Sequence, residues 1–448
     1  MALCTHYCLG LHRGGDLMQE QQGQHSRRYI WGASGSGLSQ YAWEMAEHTG
    51  AAWVGNDAAA HISLLRATVE QELAFGMEQL AVPRDEMFAR IAKAAEQWGL
   101  TPLLQRDPAS LSTGQTRRVA IASALLVQPS GLVLDCPLDG CDTAAQATLA
   151  QVINGFDGEV SICDRRWTVL ADDAESFEYR EGVLHPMQPP RPQLQQGSYL
   201  PLEQGVEAAA QDNDVVLNEV IVHRGERKAG RGGGRSGWRG AGSKPGRGAG
   251  PKAERGAAPT FALGPVSLRF PAGAITHLRG ANGCGKTTLM LAAAGLIPHQ
   301  GQVQAPTIGW VPTAMDQAFS QPSALREVSL GSDQAHAEAA LAWCGLEEVA
   351  QLHPLDLPSS QRRLLAFACA IVRGPGAIFL DEPTVGLDTA GIEQLAVLMQ
   401  RFVQGKWHEH LRERGLAALH EGLPSVVWSC HEQDFAHISD FVVDLPLS

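Results

Sequence analysis

The chain has 448 residues and a formal charge of −13; 44% of its residues are hydrophobic and nine are cysteines. That length can supply two separate cores, and the apolar share excludes a disordered chain. No apolar run reaches the ~18–20 residues of a membrane span and no charged-then-apolar leader opens the N-terminus, so the cytoplasm is the expected address. The scattered cysteines read as reduced thiols, and the spacing of Cys4, His6, Cys8 and His12 fits no metal pattern.

In chain order, a strand around 28–31 runs into the glycine-rich stretch Gly32-Ala-Ser-Gly-Ser-Gly-Leu-Ser39, followed by a helix and a long helical middle. An apolar strand, Gly131-Leu-Val-Leu-Asp135, ends in a carboxylate, and a further strand and helix close the first half. Residues 187–213 are rich in Pro and Gln and read as a linker. Val215 to His223 is β-branched and reads as a strand. Residues 224–257 carry ten Lys or Arg against Glu226 and Glu254, a local charge of +8 that leaves −21 for the rest of the chain. With so few apolar groups this stretch cannot fold alone. It reads as a solvated insert, with RNA contact through Arg and Trp238, or attraction to anionic lipid, as alternatives.

The second half then repeats the order of the first. A strand at 274–278 leads into Gly280-Ala-Asn-Gly-Cys-Gly-Lys-Thr-Thr288, and Ala377-Ile-Phe-Leu-Asp381 answers the earlier apolar strand. Strands alternating with helices imply an α/β fold, a mostly parallel sheet with helices on both faces, and a repeat this large implies two copies of one domain. The expected division is 1–186, linker 187–213, and 214–448 with the basic insert inside it.

The spacing Gly280-x-x-Gly283-x-Gly285-Lys286-Thr287 fits the phosphate-loop pattern in full. Backbone N–H groups of Gly280, Ala281, Asn282, Gly283, Cys284, Gly285 and Thr288 can curl around a triphosphate at a helix N-terminus. Lys286 is suited to the β/γ-phosphates and Thr287 to Mg²⁺. At the end of the later strand, Asp381 suits the same metal and Glu382 a water that must be oriented. Cys284, at a helix N-terminus, is expected to be a reactive thiol that Mg-ATP protects.

Lys286, Asp381-Glu382, Gly386-Leu-Asp388 and His431 resemble the Walker A, Walker B, D-loop and switch histidine of ABC ATPases. Leu111-Ser112-Thr113-Gly114-Gln115 resembles the LSGGQ signature of that family. The segment Thr68-Val-Glu-Gln-Glu-Leu-Ala-Phe-Gly76 resembles energy-coupling-factor ATPases, which drive uptake of vitamins or of cobalt and nickel.

Two such domains, each with a helical subdomain, would pair within one chain, the Walker motifs of each half facing the signature of the other. On this resemblance Lys286, Glu382 and His431 are catalytic, and Ser112, Thr113, Gly114, Gln115 and Asp142 reach the same ATP from the first half. ATP and Mg²⁺ are the implied cofactors. The implied partners are separate transmembrane coupling and substrate-binding subunits, with the chain peripheral on the cytoplasmic face of the membrane and nucleic acid not expected.

The first half departs from the pattern: Leu38 stands for the lysine, Cys136 for the glutamate, and no histidine lies near Ser161–Asp164. The second half is intact at those positions, but its signature reads Leu357-Pro-Ser-Ser-Gln361. The intact Walker set therefore meets the intact signature, and one working site is expected. The Q-loop glutamine falls on Asn56 in one half and on Thr313 in the other, and Arg224 falls where an aromatic usually stacks on adenine. The rival readings are a soluble tandem ATPase acting on ribosomes or RNA, and a non-hydrolysing scaffold.

Overall fold

The computed structural model describes residues 27–188, 200–201, 213–224, 261–315, 318–418, 420–430 and 437–446. The first half contains β1 (Arg27–Trp31), α1 (Leu38–Thr49), β2 (Ala52–Val54), α2 (Val69–Gln79), α3 (Arg84–Gln97) and α4 (Thr113–Leu126). β3 (Gly131–Asp135), α5 (Thr143–Asn154), β4 (Glu159–Asp164), β5 (Glu175–Arg180) and β6 (Val183–Pro186) complete it.

β7 (Leu200–Pro201), β8 (Val215–Arg224), β9 (Phe261–Phe270), β10 (Ile275–Arg279), α6 (Lys286–Ala293), β11 (Gln300–Gln304) and β12 (Ile308–Val311) follow. The chain then forms α7 (Ala324–Ser329), α8 (Gln334–Trp343), α9 (Ser359–Ile371), β13 (Ala377–Leu380), α10 (Thr389–Val403), α11 (Lys406–Glu413), β14 (Ser425–Ser429) and β15 (Phe441–Asp444).

The large sheets run β2-β3-β4-β1-β5-β6 and β12-β13-β14-β10-β15-β7; their first five strands correspond, while the sixth is antiparallel β6 after β5 in one and parallel β7 from before β10 in the other. In each, the strand that feeds the phosphate loop is central, flanked by parallel neighbours. β3 and β13 are buried at every residue, which explains their continuous apolar runs. A third sheet, antiparallel β11-β8-β9, belongs to the second half alone among the described residues.

The segment expected to be only a linker contributes structure: Leu200 and Pro201 pair in parallel with Phe441 and Val442 of β15. A sheet edge offers unpaired backbone groups, and a proline is tolerated there. α11 was not foreseen; Trp407 and Leu411 are fully buried, and Trp407 meets Trp343 of α8 edge to face.

Side-chain caps explain where the functional helices start. Thr68 caps α2, Asp142 caps α5 and Asp388 caps α10, each accepting a backbone N–H from the first turn. Each half has its own core, with Leu73, Met77, Ile91 and Leu149 in one and Phe367, Phe402, Trp407 and Trp428 in the other. No described helix is long and apolar enough to cross a membrane.

Candidate functional site

The intact loop connects β10 to α6. Gly280, Gly283 and Gly285 have φ of 149°, 82° and 112°, a run that side chains disfavour and that lets the backbone curl. Lys286 is buried; its Nζ donates to Gly280 O at 2.8 Å and lies 3.7 Å from a Glu382 carboxylate oxygen. Thr288 is buried in the first turn of α6. The Cys284 side chain packs against the apolar cluster of Leu278, Leu289 and Leu445, and a Cβ built on Gly280 would lie 2.6 Å from its Sγ. The half-buried thiol thus lies against the apolar surface behind the loop.

Asp381, at the end of β13, gathers three hydroxyls. Thr287 Oγ1 donates to both carboxylate oxygens at 2.9 Å, Thr313 Oγ1 to Oδ2 at 2.9 Å and Ser429 Oγ to Oδ1 at 2.9 Å. Small hard oxygens around one carboxylate suit Mg²⁺, which takes few protein ligands and shares phosphate oxygens with its nucleotide. Ser429 also accepts the Glu382 N–H at 2.9 Å, and Glu382 holds a left-handed φ of 49°. Such strain in a non-glycine residue clusters at functional positions. Sequence reasoning missed Ser429; its place at the end of an all-buried strand was the available signal.

The other face of this site comes from the first half. Asn282 N–H donates to Asp142 Oδ2 at 3.0 Å, while Asp142 Oδ1 caps α5 through Ala145 N–H at 2.9 Å. The Asp142 carboxylate is thus spent on two backbone amides. Ser112 and Gln115 form a reciprocal capping box that starts α4, with Gln115 Oε1 accepting Ser112 N–H at 3.1 Å. A Cβ on Gly114 would stand 2.9 Å from Gly140 O and 3.1 Å from Asn282 Nδ2. The backbone of Thr113 and Gly114 therefore approaches the intact loop as closely as only glycine permits.

The second junction is built from the degenerate pieces. Ser34 N–H donates to Asp388 Oδ2 at 2.7 Å, Ser360 N–H to Ser34 Oγ at 3.4 Å, and Pro358 Cγ lies 3.2 Å from a Cβ built on Gly35. Leu38 is buried among Ile30, Ala42 and Val133. Pro358 stands where Ser112 stands in the other half and leaves α9 without a side-chain cap.

Strand register sets Asp164 opposite Trp31 and makes Cys163 the counterpart of Ser429. Arg165 therefore takes the position matching His431, and its Nη1 donates across the junction to Gly386 O at 3.3 Å. Cys136 keeps the left-handed backbone of Glu382, with φ of 50°, and burial pushes its thiol up. Asp139 pairs with Arg166 at 2.9 Å. Burial raises the Asp139 carboxyl, but Arg166, Arg117 and Arg165 outweigh it and hold it below the usual range. Burial first, then the Asp139 charge, push Asp164 up to about 7.

His431, the basic stretch 225–257 and the Cys4–His12 cluster lie outside the described residues, as does the side chain of Arg224. Among the described residues no group of three or more His, Cys, Asp or Glu could hold a metal unaided.

Two strand–loop–helix cradles, each facing the other half, define a tandem P-loop nucleoside triphosphatase. The chain belongs to the ABC transporter family, whose model matches residues 22–139 and again 263–385; it binds ATP with Mg²⁺ and hydrolyses it. It is similar to an ABC transporter ATP-binding protein of Streptomyces coelicolor, 28% identical over 86% of this chain and 75% of that protein. A 111-residue stretch is 37% identical to the energy-coupling factor transporter ATP-binding protein EcfA1 of Symbiobacterium thermophilum, covering 25% of this chain and 39% of that protein. The solved structure of an RNase-L inhibitor shares the fold, with TM-score 0.55 and 14% identity over 94% of this chain and 83% of that one.

Proposed function

We propose that this chain is the ATP-hydrolysing subunit of an importer of the energy-coupling-factor type, driving separate membrane subunits from one composite site. The observation that carries the one-site reading is the crossed pairing, in which Asn282 N–H meets Asp142 while Gly114 backs onto Asn282. Lys286 and the loop amides hold the triphosphate, and Thr287 and Asp381 hold the Mg²⁺. Glu382 orients the attacking water and His431 contacts the γ-phosphate. The N-terminus of α4, presented by Ser112 to Gln115, stabilises that phosphate from across the junction. The domains divide near 186 and 214, and ATP binding draws the halves together as hydrolysis releases them.

The importer reading rests on the stretch shared with EcfA1 and on the 68–76 segment. It is supported by Leu64 and Leu65, 63% and 67% exposed, which follow Asn56. Ser63 just before them is held by Glu72, which accepts its N–H at 2.6 Å and its hydroxyl at 2.7 Å. A fixed loop displaying two bare leucines suits an apolar helix end of a membrane subunit.

The test is purification of the full chain in mild detergent together with its membrane partners. Stoichiometric polytopic proteins that stimulate ATP turnover, with the stimulation lost in Leu65→Asp, are expected. Turnover stimulated by ribosomes or RNA, and indifferent to membrane subunits, overturns the importer reading in favour of a soluble tandem ATPase.

A further inference from the structure

His277 sits in β10, three residues before the phosphate loop. It is fully buried, its ring stacks on Trp428 of β14 at 4.4 Å and 19°, and its Nε2 lies 3.2 Å from Cys430 O. A carbonyl only accepts, so Nε2 carries the proton and donates. Nδ1 has no hydrogen-bond partner among the described residues; a bare lone pair there costs less than a buried unpaired N–H or a charge. Burial also pushes this imidazole down to about 4, consistent with a permanently neutral ring.

Cys430 is the residue from which the chain leaves β14 toward His431. It is gripped twice, at its carbonyl by His277 and at its Sγ by Thr384 Oγ1, 3.2 Å away. Thr384 itself follows Glu382 by two residues.

The first half repeats the device with different chemistry. Register makes Tyr29 of β1 the counterpart of His277: Tyr29 pairs with Ile162, as His277 pairs with Trp428. Tyr29 is fully buried, stacks on Trp167 at 5.2 Å, and its hydroxyl donates to Arg166 O. In both halves a buried aromatic at the same strand position, able to donate one hydrogen bond, grips the backbone just beyond the neighbouring strand. A polar group in this place costs desolvation wherever it stands, so its double occurrence argues that the grip has a use.

We propose that His277 is a positioning residue for ATP hydrolysis: by holding Cys430 O it fixes the end of β14, where Ser429 donates to Asp381 and accepts the Glu382 N–H. Tyr29 holds the chain two residues past Asp164, the counterpart of Cys430, in a segment that serves no chemistry. The inference rests on the reading of the second half as the hydrolysing half.

The experiment measures kcat and KM for ATP in the full chain, with Lys286→Ala run first. If the wild type turns over no faster than Lys286→Ala, the hydrolysing-half reading fails and the His277 role falls with it. In an active chain, His277→Leu removes the donor and keeps apolar bulk. We expect kcat to fall about tenfold, as for a reacting group displaced by a fraction of an ångström, with KM unchanged. His277→Gln, whose amide N–H can reach the same carbonyl, should recover most of the rate. Should the leucine variant fail to fold, His277→Met against His277→Gln makes the same comparison. Tyr29→Phe should leave kcat unaltered. Wild-type turnover in His277→Leu, a KM rise accounting for the whole loss, no recovery with glutamine, or an equal kcat loss in Tyr29→Phe would each overturn the proposal.

Discussion

The two phosphate loops are the most informative pair of regions in this molecule, because the backbone of one is nearly a copy of the other while the chemistry is not. Gly35 and Gly37 turn left-handed with φ of 84° and 86°, as Gly283 and Gly285 do. Cys136 keeps the strained φ of Glu382, and Asp388 clamps Ser34 N–H just as Asp142 clamps Asn282 N–H. Asp135 and Ser39 keep the places of Asp381 and Thr287, and what differs is the remaining groups that would handle charge. Leu38 replaces a lysine and is absorbed into a core, a thiol held protonated replaces a carboxylate, and Pro358 replaces a hydroxyl that caps a helix. Loop conformation and cross-junction contacts have thus been kept where phosphate chemistry has been lost, which marks the degenerate junction as a structural contact between the halves.

The sharpest way to break this contrast is in the intact loop itself. Lys286→Ala and Glu382→Gln should each lower the ATPase rate by a hundredfold or more, since one lost transition-state contact costs ~3–4 kcal/mol. Leu38→Lys combined with Cys136→Glu should add nothing, because the facing residues are Pro358, Ser359 and Ser360. A second set of turnovers after that double change, counted as a doubled kcat at saturating ATP, would show the first site to be repairable and the asymmetry shallow.

A nearly equal effect is expected from across the junction. Ser112→Arg places a long cation at the start of α4, facing the intact loop from the opposite half. It should cost about as much as Lys286→Ala, and the double variant little more, since residues acting as one unit are non-additive. Pro358→Arg occupies the matching position at the other junction and should be nearly silent. Full turnover in a folded Ser112→Arg chain would mean that each half works alone.

Much of this was legible before any coordinates. The glycine spacing, the apolar strands ending in Asp135 and Asp381, and the sorting of intact and damaged motifs all lie in local patterns, which backbone geometry dictates directly. What stayed hidden depends on strand register or on packing. Arg165 matches His431 only once β4 is laid against β1, because no sequence pattern marks the position. The apolar surface against which the half-buried Cys284 thiol lies includes Leu445, some 160 residues away. Ser429 and His277 act through strand neighbours distant in the chain, and the edge strand at Leu200–Pro201 is too short to show any period.

The smallest expected effect concerns a charge present in one junction and missing in the other. Asp164 is buried, and its Oδ1 accepts the Arg165 and Arg166 N–H groups at 2.8 and 3.2 Å. Its counterpart in the second half is Cys430, which carries no carboxylate. With its carboxyl pushed up to about 7 from an ordinary 3.8, Asp164 stays protonated in the folded chain where the unfolded chain has already lost the proton. The stability linked to that proton is full below about pH 4 and declines as pH rises toward 7, after which it is gone. Asp164→Asn keeps an oxygen for both backbone donors and carries no charge at any pH. Its thermal midpoint relative to wild type should therefore climb from pH 5 to about pH 7 and then level off. A difference that stays constant across pH 5 to 8 would place the proton elsewhere, on Asp139 or on no group at all, and would remove the charge asymmetry from the list of what separates the two junctions.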